Sequence, residues 1–204
     1  GLARQGIEVT ILDREPEVVR SPRAAVYYHT TLSVLKKLGM IGDAEAIGFP
    51  SSTFKMHWLE TGEAVESDMK DALDPGQEFD HNLHFGQHIL ADLVIGHLAR
   101  HPHAEVLWNH EVTALAQDDD GVTLTVETPE GTQQMRAGWV IGTDGARSTI
   151  RSLLGLEFEG FTWPDRFVGF ALVMHPPERA KLLRPEALHA DRQTGHADSA
   201  VLGE

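Results

Sequence analysis

Apolar positions along this chain switch between the spacing of buried strands and the spacing of helices. Residues 7–12 (IEVTIL) form a short β-branched run suited to a buried parallel strand. They follow directly on Gly6, a helix-stopping glycine that closes the segment GLARQ. Helix end, tight turn and strand together make half of a βαβ unit. Beyond a Pro-marked loop over 16–22, Thr30 is placed to cap a helix whose leucines 32, 35 and 38 recur every third position before Gly39 ends it. A second short helix is expected over 41–47. Residues 53–66 set Thr61-Gly62 between two extended stretches, a hairpin signature.

A longer helical stripe follows in Ile89, Leu90, Leu93, Val94 and Leu98, ending near His101-Pro102. Extended segments at 105–108, 111–117 and 121–128, with a return strand at 132–136, are expected to form an antiparallel meander that turns at Asp118-Asp119-Asp120-Gly121. Residues 139–142 (WVIG) suggest another buried strand, running through Thr143-Asp144-Gly145 into a helix over 148–154. Residues 167–174 are apolar enough for one more strand. His175-Pro176-Pro177 then removes two backbone donors, and 175–204 lacks either period. That tail is expected to be the least ordered part of the chain and the first cut by protease, after Arg179, Lys181 or Arg192.

Composition narrows the partners. The 204 residues, 41% hydrophobic and 24% charged, suffice for a real core. A formal charge of −14 opposes attraction to nucleic acid or anionic lipid, so neither is expected as a partner. The absence of cysteine removes disulfides and thiolate chemistry. With no long apolar span and no secretion signal, a cytoplasmic location is expected. The chain opens on Gly1, inside a helix, so a longer parent protein is expected.

Two local features carry candidate chemistry. Asp13-Arg14 ends the first strand, where a dinucleotide-binding unit places a carboxylate for ribose hydroxyls, about 20 residues after its phosphate-binding turn. The plain alternative is an ordinary turn aspartate. Gly142-Thr143-Asp144-Gly145-Ala146-Arg147-Ser148 leads from strand to helix at a sheet edge, where ligands bind in doubly wound folds. Its plain alternative is a tight turn with Ser148 as helix cap. His97 and His101 share the i, i+4 spacing of a metal pair with His103 nearby, but no HExxH pattern or cysteine accompanies them, and no metal is expected. Residues His81, His84 and His88 have the same standing. No Gly-x-Ser-x-Gly elbow marks a hydrolase.

Taken in order, GLARQGIEVTILDRE, SPRAAVYYHTTLSVLKKLGM, FGQHILADLVIGHL and VIGTDGARSTIRSLLGLEFEG resemble the successive FAD-contacting blocks of para-hydroxybenzoate hydroxylase-like flavoprotein monooxygenases. The resemblance runs from Gly1 to about Gly160. It implies an α/β, Rossmann-like FAD-binding domain with an interleaved β-rich substrate domain, both incomplete. The FAD-binding part would occupy 1–48 and 83–165, and the substrate part 49–82 and 166–204. By residue, it implies that Asp13 binds the adenosine ribose, Arg14 lies near the adenine and Arg23 packs along the FAD. Gln87 would contact the flavin side, and Asp144 with Gly145 would serve both FAD and NAD(P)H. Arg147 and Arg151 are candidates for nicotinamide phosphates or for a solvated helix face.

The family's Gly-x-Gly-x-x-Gly turn and its later Gly-Asp-Ala motif are not found in these residues. The parent enzyme is accordingly expected to hydroxylate a small, phenolic aromatic with NAD(P)H and O2, and the chain alone to be inactive. No catalytic side chain is assigned. Another FAD-dependent oxidoreductase (epoxidase or prenyl reductase), a nicotinamide dehydrogenase and a non-catalytic gene remnant stay as alternatives.

Overall fold

The computed structural model describes residues 1–162 and Pro164, apart from Pro22, Leu59 and Pro75. The strand expected at 167–174 and the tail at 175–204 lie outside the described residues. A single 3-10 turn, Ala3–Gln5, ends on Gly6 in the left-handed region (φ 77°), whose N–H donates to the Ala3 carbonyl. Strand β1 (Val9–Asp13) follows at once. Next come β2 (Val26–Tyr27), α1 (His29–Lys37), α2 (Ile41–Ile47), β3 (Phe49–Ser51), β4 (Thr53–His57), β5 (Ala64–Asp68) and the short α3 (Met69–Ala72). Then follow β6 (Asn82–His84), α4 (Gln87–Leu98), β7 (Ala104–Trp108), β8 (Glu111–Asp118), β9 (Gly121–Thr128), β10 (Gly131–Ala137) and α5 (Thr149–Leu153). Among the described residues no helix is long and apolar enough to cross a membrane.

The core gathers on one face of the sheet β2-β6-β3. Leu32, Ala44 and Leu83 are almost wholly buried there with Tyr27, Leu35 and Phe85, and Ile89, Leu90 and Leu93 of α4 pack against them. The three-residue spacing of leucines puts one face of α1 on this core. Its expected cap at Thr30 is a correction, because the extended N-cap residue is Tyr28 and contributes no side-chain bond. Gly39 (φ 72°) closes the helix as expected. Its N–H donates to the Lys36 carbonyl and the Met40 N–H to the Leu35 carbonyl, the pair of bonds that ends many helices. Strands β4 and β5 make the expected antiparallel hairpin.

Two strand assignments are corrected. Residues 104–108 do not join the meander: β7 pairs in parallel with β1, from Val9↔Ala104 to Asp13↔Trp108. The meander consists of β8, β9 and β10 alone. Alternating apolar residues show that a segment is extended but do not name its neighbour. Residues 139–142 form no strand, and Trp139 and Ile141 are 91% and 70% exposed. Strand pairing needs backbone partners, and among the described residues none is offered to this run. Strand β1 is likewise only partly covered rather than buried.

Candidate functional site

At the C-terminal end of β1, Asp13 forms a local turn in which the Glu15 N–H donates to its Oδ1 at 3.0 Å. The second carboxylate oxygen has no partner among the described residues and faces an exposed surface. Asp13 thus fills the turn role and keeps an acceptor free. The backbone around it is clasped from β7's exit, with the Asn109 N–H donating to the Glu15 carbonyl (3.0 Å) and the His110 N–H to the Asp13 carbonyl (2.9 Å). Arg14 lies exposed beside Glu15, with Nε 3.7 Å from its carboxylate, a spacing at which a solvated pair contributes little.

Arg23 precedes β2, and Gln87 opens α4 just after β6. Val26 faces His84 in the antiparallel pair β2–β6, and one step outward the Phe85 N–H donates to the Ala25 carbonyl at 3.0 Å. Arg23 lies two residues before Ala25, and Gln87, the first residue of α4, two residues after Phe85. Both are exposed, and neither has an ionic or hydrogen-bonded partner among the described residues. The loop from β1 is tied to the same helix by Arg20, whose guanidinium meets both Asp92 carboxylate oxygens (2.9 and 3.4 Å). The hydrogen bond and charge of Asp92 hold the Arg20 pKa above its ordinary value. Asp13, Arg14 and Arg23 are thus exposed on the stretch from β1 to β2, which Arg20 ties to α4, the helix that Gln87 opens.

Asp144 and Gly145 form a separate turn. Ser148 donates its hydroxyl to Asp144 Oδ1 at 2.5 Å, and the Ile150 N–H donates to Oδ2 at 3.0 Å. The Arg151 N–H then donates to Ser148 Oγ at 3.0 Å. The plain alternative for this motif is thus realised, with Ser148 as N-cap and Asp144 as its brace. Gly145 sits at φ 80°, where a side chain is strained. Arg147 is exposed and unpaired among the described residues, whereas Arg151 lies over the Phe158 ring at 4.5 Å. Among the described residues no hydrogen bond or ion pair joins this turn to Asp13, Arg14, Arg23 or Gln87.

Burial is the largest single influence on the Asp144 carboxyl and pushes its pKa up. Hydrogen bonds from Ser148 and the Ile150 amide outweigh it, leaving the pKa below the ordinary 3.8. A depressed carboxylate stabilises the fold above its ordinary pKa and loses that contribution as pH falls through the depressed one. Acidification below 3.8 should therefore loosen the start of α5. Amide exchange at Ile150 and Arg151 reads this directly, and unchanged protection there would refute it.

An open groove of about 420 Å³ between α2 and α4 is lined by Asp43, Ile47, Asp92, Leu93, His97 and Arg100, among others. None of the six expected cofactor residues lines it, so its volume does not mark the site. His97 there turns to Asp43 (2.7 Å), while His101 packs edge-on against His103, whose Nε2 meets the Ala3 carbonyl at 2.8 Å. The histidines thus have separate partners.

The donor set fits an anionic dinucleotide. It offers a free carboxylate oxygen for ribose hydroxyls, an unpaired guanidinium for phosphate and a carboxamide at the N-terminal turn of a 12-residue helix. Sequence reading missed the Arg20–Asp92 tie, because nothing local links residues 72 apart. It also missed Asn109, although asparagine directly after an apolar strand is a usable turn signal.

The chain matches the family described as "FAD binding domain" over residues 1–195. It is 36% identical over 169 residues to para-nitrophenol 4-monooxygenase of Pseudomonas sp. (strain WBC-3), covering 82% of this chain and 41% of that one. With 6-hydroxy-3-succinoylpyridine 3-monooxygenase of Pseudomonas putida (strain DSM 28022 / S16) it shares 33% identity, covering 82% and 43%. The crystal structure of p-nitrophenol 4-monooxygenase from Pseudomonas putida DLL-E4 superposes with a TM-score of 0.75 at 35% identity, covering 79% and 41% of the two chains. A ternary complex of aklavinone-11 hydroxylase with FAD and aklavinone superposes with a TM-score of 0.66 at 25% identity, covering 76% and 31%. The chain spans less than half the length of these relatives.

Proposed function

Since this chain belongs to the FAD binding domain family, we propose that Asp13, Arg14, Arg23 and Gln87 hold FAD and that the whole protein is a flavoprotein monooxygenase hydroxylating a phenolic ring. What supports the assignment of residues is the acceptor that Asp13 keeps free at the end of β1, together with Arg23 and Gln87, which are exposed and unpaired among the described residues. FAD bound here would relay electrons from NAD(P)H to O2 and so put one oxygen on the substrate ring.

The chain's own residues bind and orient. Asp13 accepts from the ribose hydroxyls with the oxygen that its turn leaves free. Arg14 lies toward the adenine. Arg23 offsets phosphate charge, which matters in a protein whose formal charge of −14 repels a dinucleotide at long range. Gln87, at the start of α4, meets the flavin end. Asp144 fixes the turn that presents Gly145, and Arg147, unpaired and exposed, is the cation available to a nicotinamide phosphate. Residues 1–48 and 83–165 form the cofactor part in this reading, and 49–82 with 166–204 the substrate part. A small phenol is the substrate class, in line with the para-nitrophenol named for one relative.

Asp13→Ala in the whole protein should weaken FAD binding by about 1.5–3 kcal/mol, ~10-fold or more, through loss of a charge-assisted acceptor. Titration of the apo-protein with FAD measures it, and an unchanged dissociation constant would reduce Asp13 to a turn residue.

A further inference from the structure

We propose that Asn109 is a positioning residue for Asp13, holding the acceptor carboxylate of the cofactor site in place through its left-handed backbone. Asn109 is the only non-glycine among the described residues with positive φ, at 57°. It directly follows Trp108, the residue paired in register with Asp13. Reversal of the chain at this point aims two successive N–H groups back across the sheet, that of Asn109 at the Glu15 carbonyl (3.0 Å) and that of His110 at the Asp13 carbonyl (2.9 Å). The His110 ring locks the turn from its other side, with Nδ1 2.7 Å from the Trp108 carbonyl.

These bonds hold the backbone on both sides of Arg14. With the two carbonyls fixed, the Glu15 N–H is directed to Asp13 Oδ1 at 3.0 Å. One carboxylate oxygen is thereby occupied and the other is left facing outward. The Asn109 carboxamide makes no hydrogen bond among the described residues, so the residue acts through its backbone. Asparagine and glycine tolerate the left-handed region, while a β-branched side chain does not. Glycine should therefore substitute for Asn109 without loss, and valine should not.

The inference rests on the assignment of Asp13 to FAD, and a double-substitution cycle in the whole protein separates the two. FAD dissociation constants are measured by flavin fluorescence for the unsubstituted protein, Asn109→Val, Asp13→Ala, the double variant and Asn109→Gly, with thermal unfolding of each apo form. Asn109→Val should weaken FAD about tenfold when Asp13 is present and less than about twofold when it is alanine, with Asn109→Gly within about twofold of the parent. If the valine variant does not fold, Asn109→Ala enters the same cycle with an expected effect of about threefold. Equal weakening in both backgrounds, or none in either, overturns the proposal, because a purely structural residue does not distinguish them. Unchanged affinity in Asp13→Ala overturns it while leaving the family's FAD function intact. Failure of the unsubstituted protein to bind FAD overturns both together.

Discussion

Replacing Leu32 with alanine is expected to destabilise the protein by about 2–5 kcal/mol, the range for truncating a fully buried leucine. Leu32 has no exposed surface. It lies in the cluster made by α1, α2 and the sheet β2-β6-β3, against Leu35, Ala44, Leu83 and Phe85. Removing its branched end leaves a cavity that residues of α1, α2 and β6 would have to collapse together to fill. Val34, two residues along the same helix and 52% exposed, supplies the control, since its truncation removes little buried surface. Denaturant unfolding of the two variants measures the contrast. Because α4, which Gln87 opens, packs against this cluster through Ile89, Leu90 and Leu93, Leu32→Ala should weaken FAD binding as well. Equal small losses at both positions would mean that this cluster is not the cooperative core.

Gly121→Ala should cost about 3 kcal/mol or more, by strain and backbone overlap together. Gly121 opens β9 opposite Asp118, at φ 143°, a conformation that side chains rarely adopt. A Cβ there would lie 2.5 Å from the Ala137 carbonyl oxygen. That oxygen belongs to the end of β10, so the obstacle is backbone that cannot rotate aside. The meander would have to open at the turn where Arg136 reaches Asp118 at 2.8 Å. Gly131→Ala, also at positive φ but with open space around the added carbon, should lose only the conformational part. Thermal unfolding of the two variants compares them, and a Gly121 variant no worse than the Gly131 variant would show that the hairpin yields without strain.

Local physics makes much of this protein legible in its amino-acid sequence. Leucines three residues apart specify the buried face of α1, and a glycine in the left-handed region is an efficient way to end a helix, so α1 and Gly39 are readable. Residues 41–47 and the Thr61-Gly62 hairpin are readable for similar reasons, and Ser148 because a serine before a helix satisfies a free amide. Neighbours distant in sequence are not legible. Alternation in 105–108 says extended but is equally compatible with β1 or β8 as partner. The apolar run 139–142 says strand although pairing requires a second backbone. The charges of Arg20 and Asp92 carry no mark of each other across 72 residues. Sequence alone therefore determined the elements and the chemical types at their ends, because these depend on residues within a turn or two. Only the tertiary structure decided that β7 lies beside β1 and that the Asn109 and His110 amides reach the carbonyls of Glu15 and Asp13, because pairing across the chain is settled by which whole arrangement buries the most while leaving the fewest backbone groups unpaired.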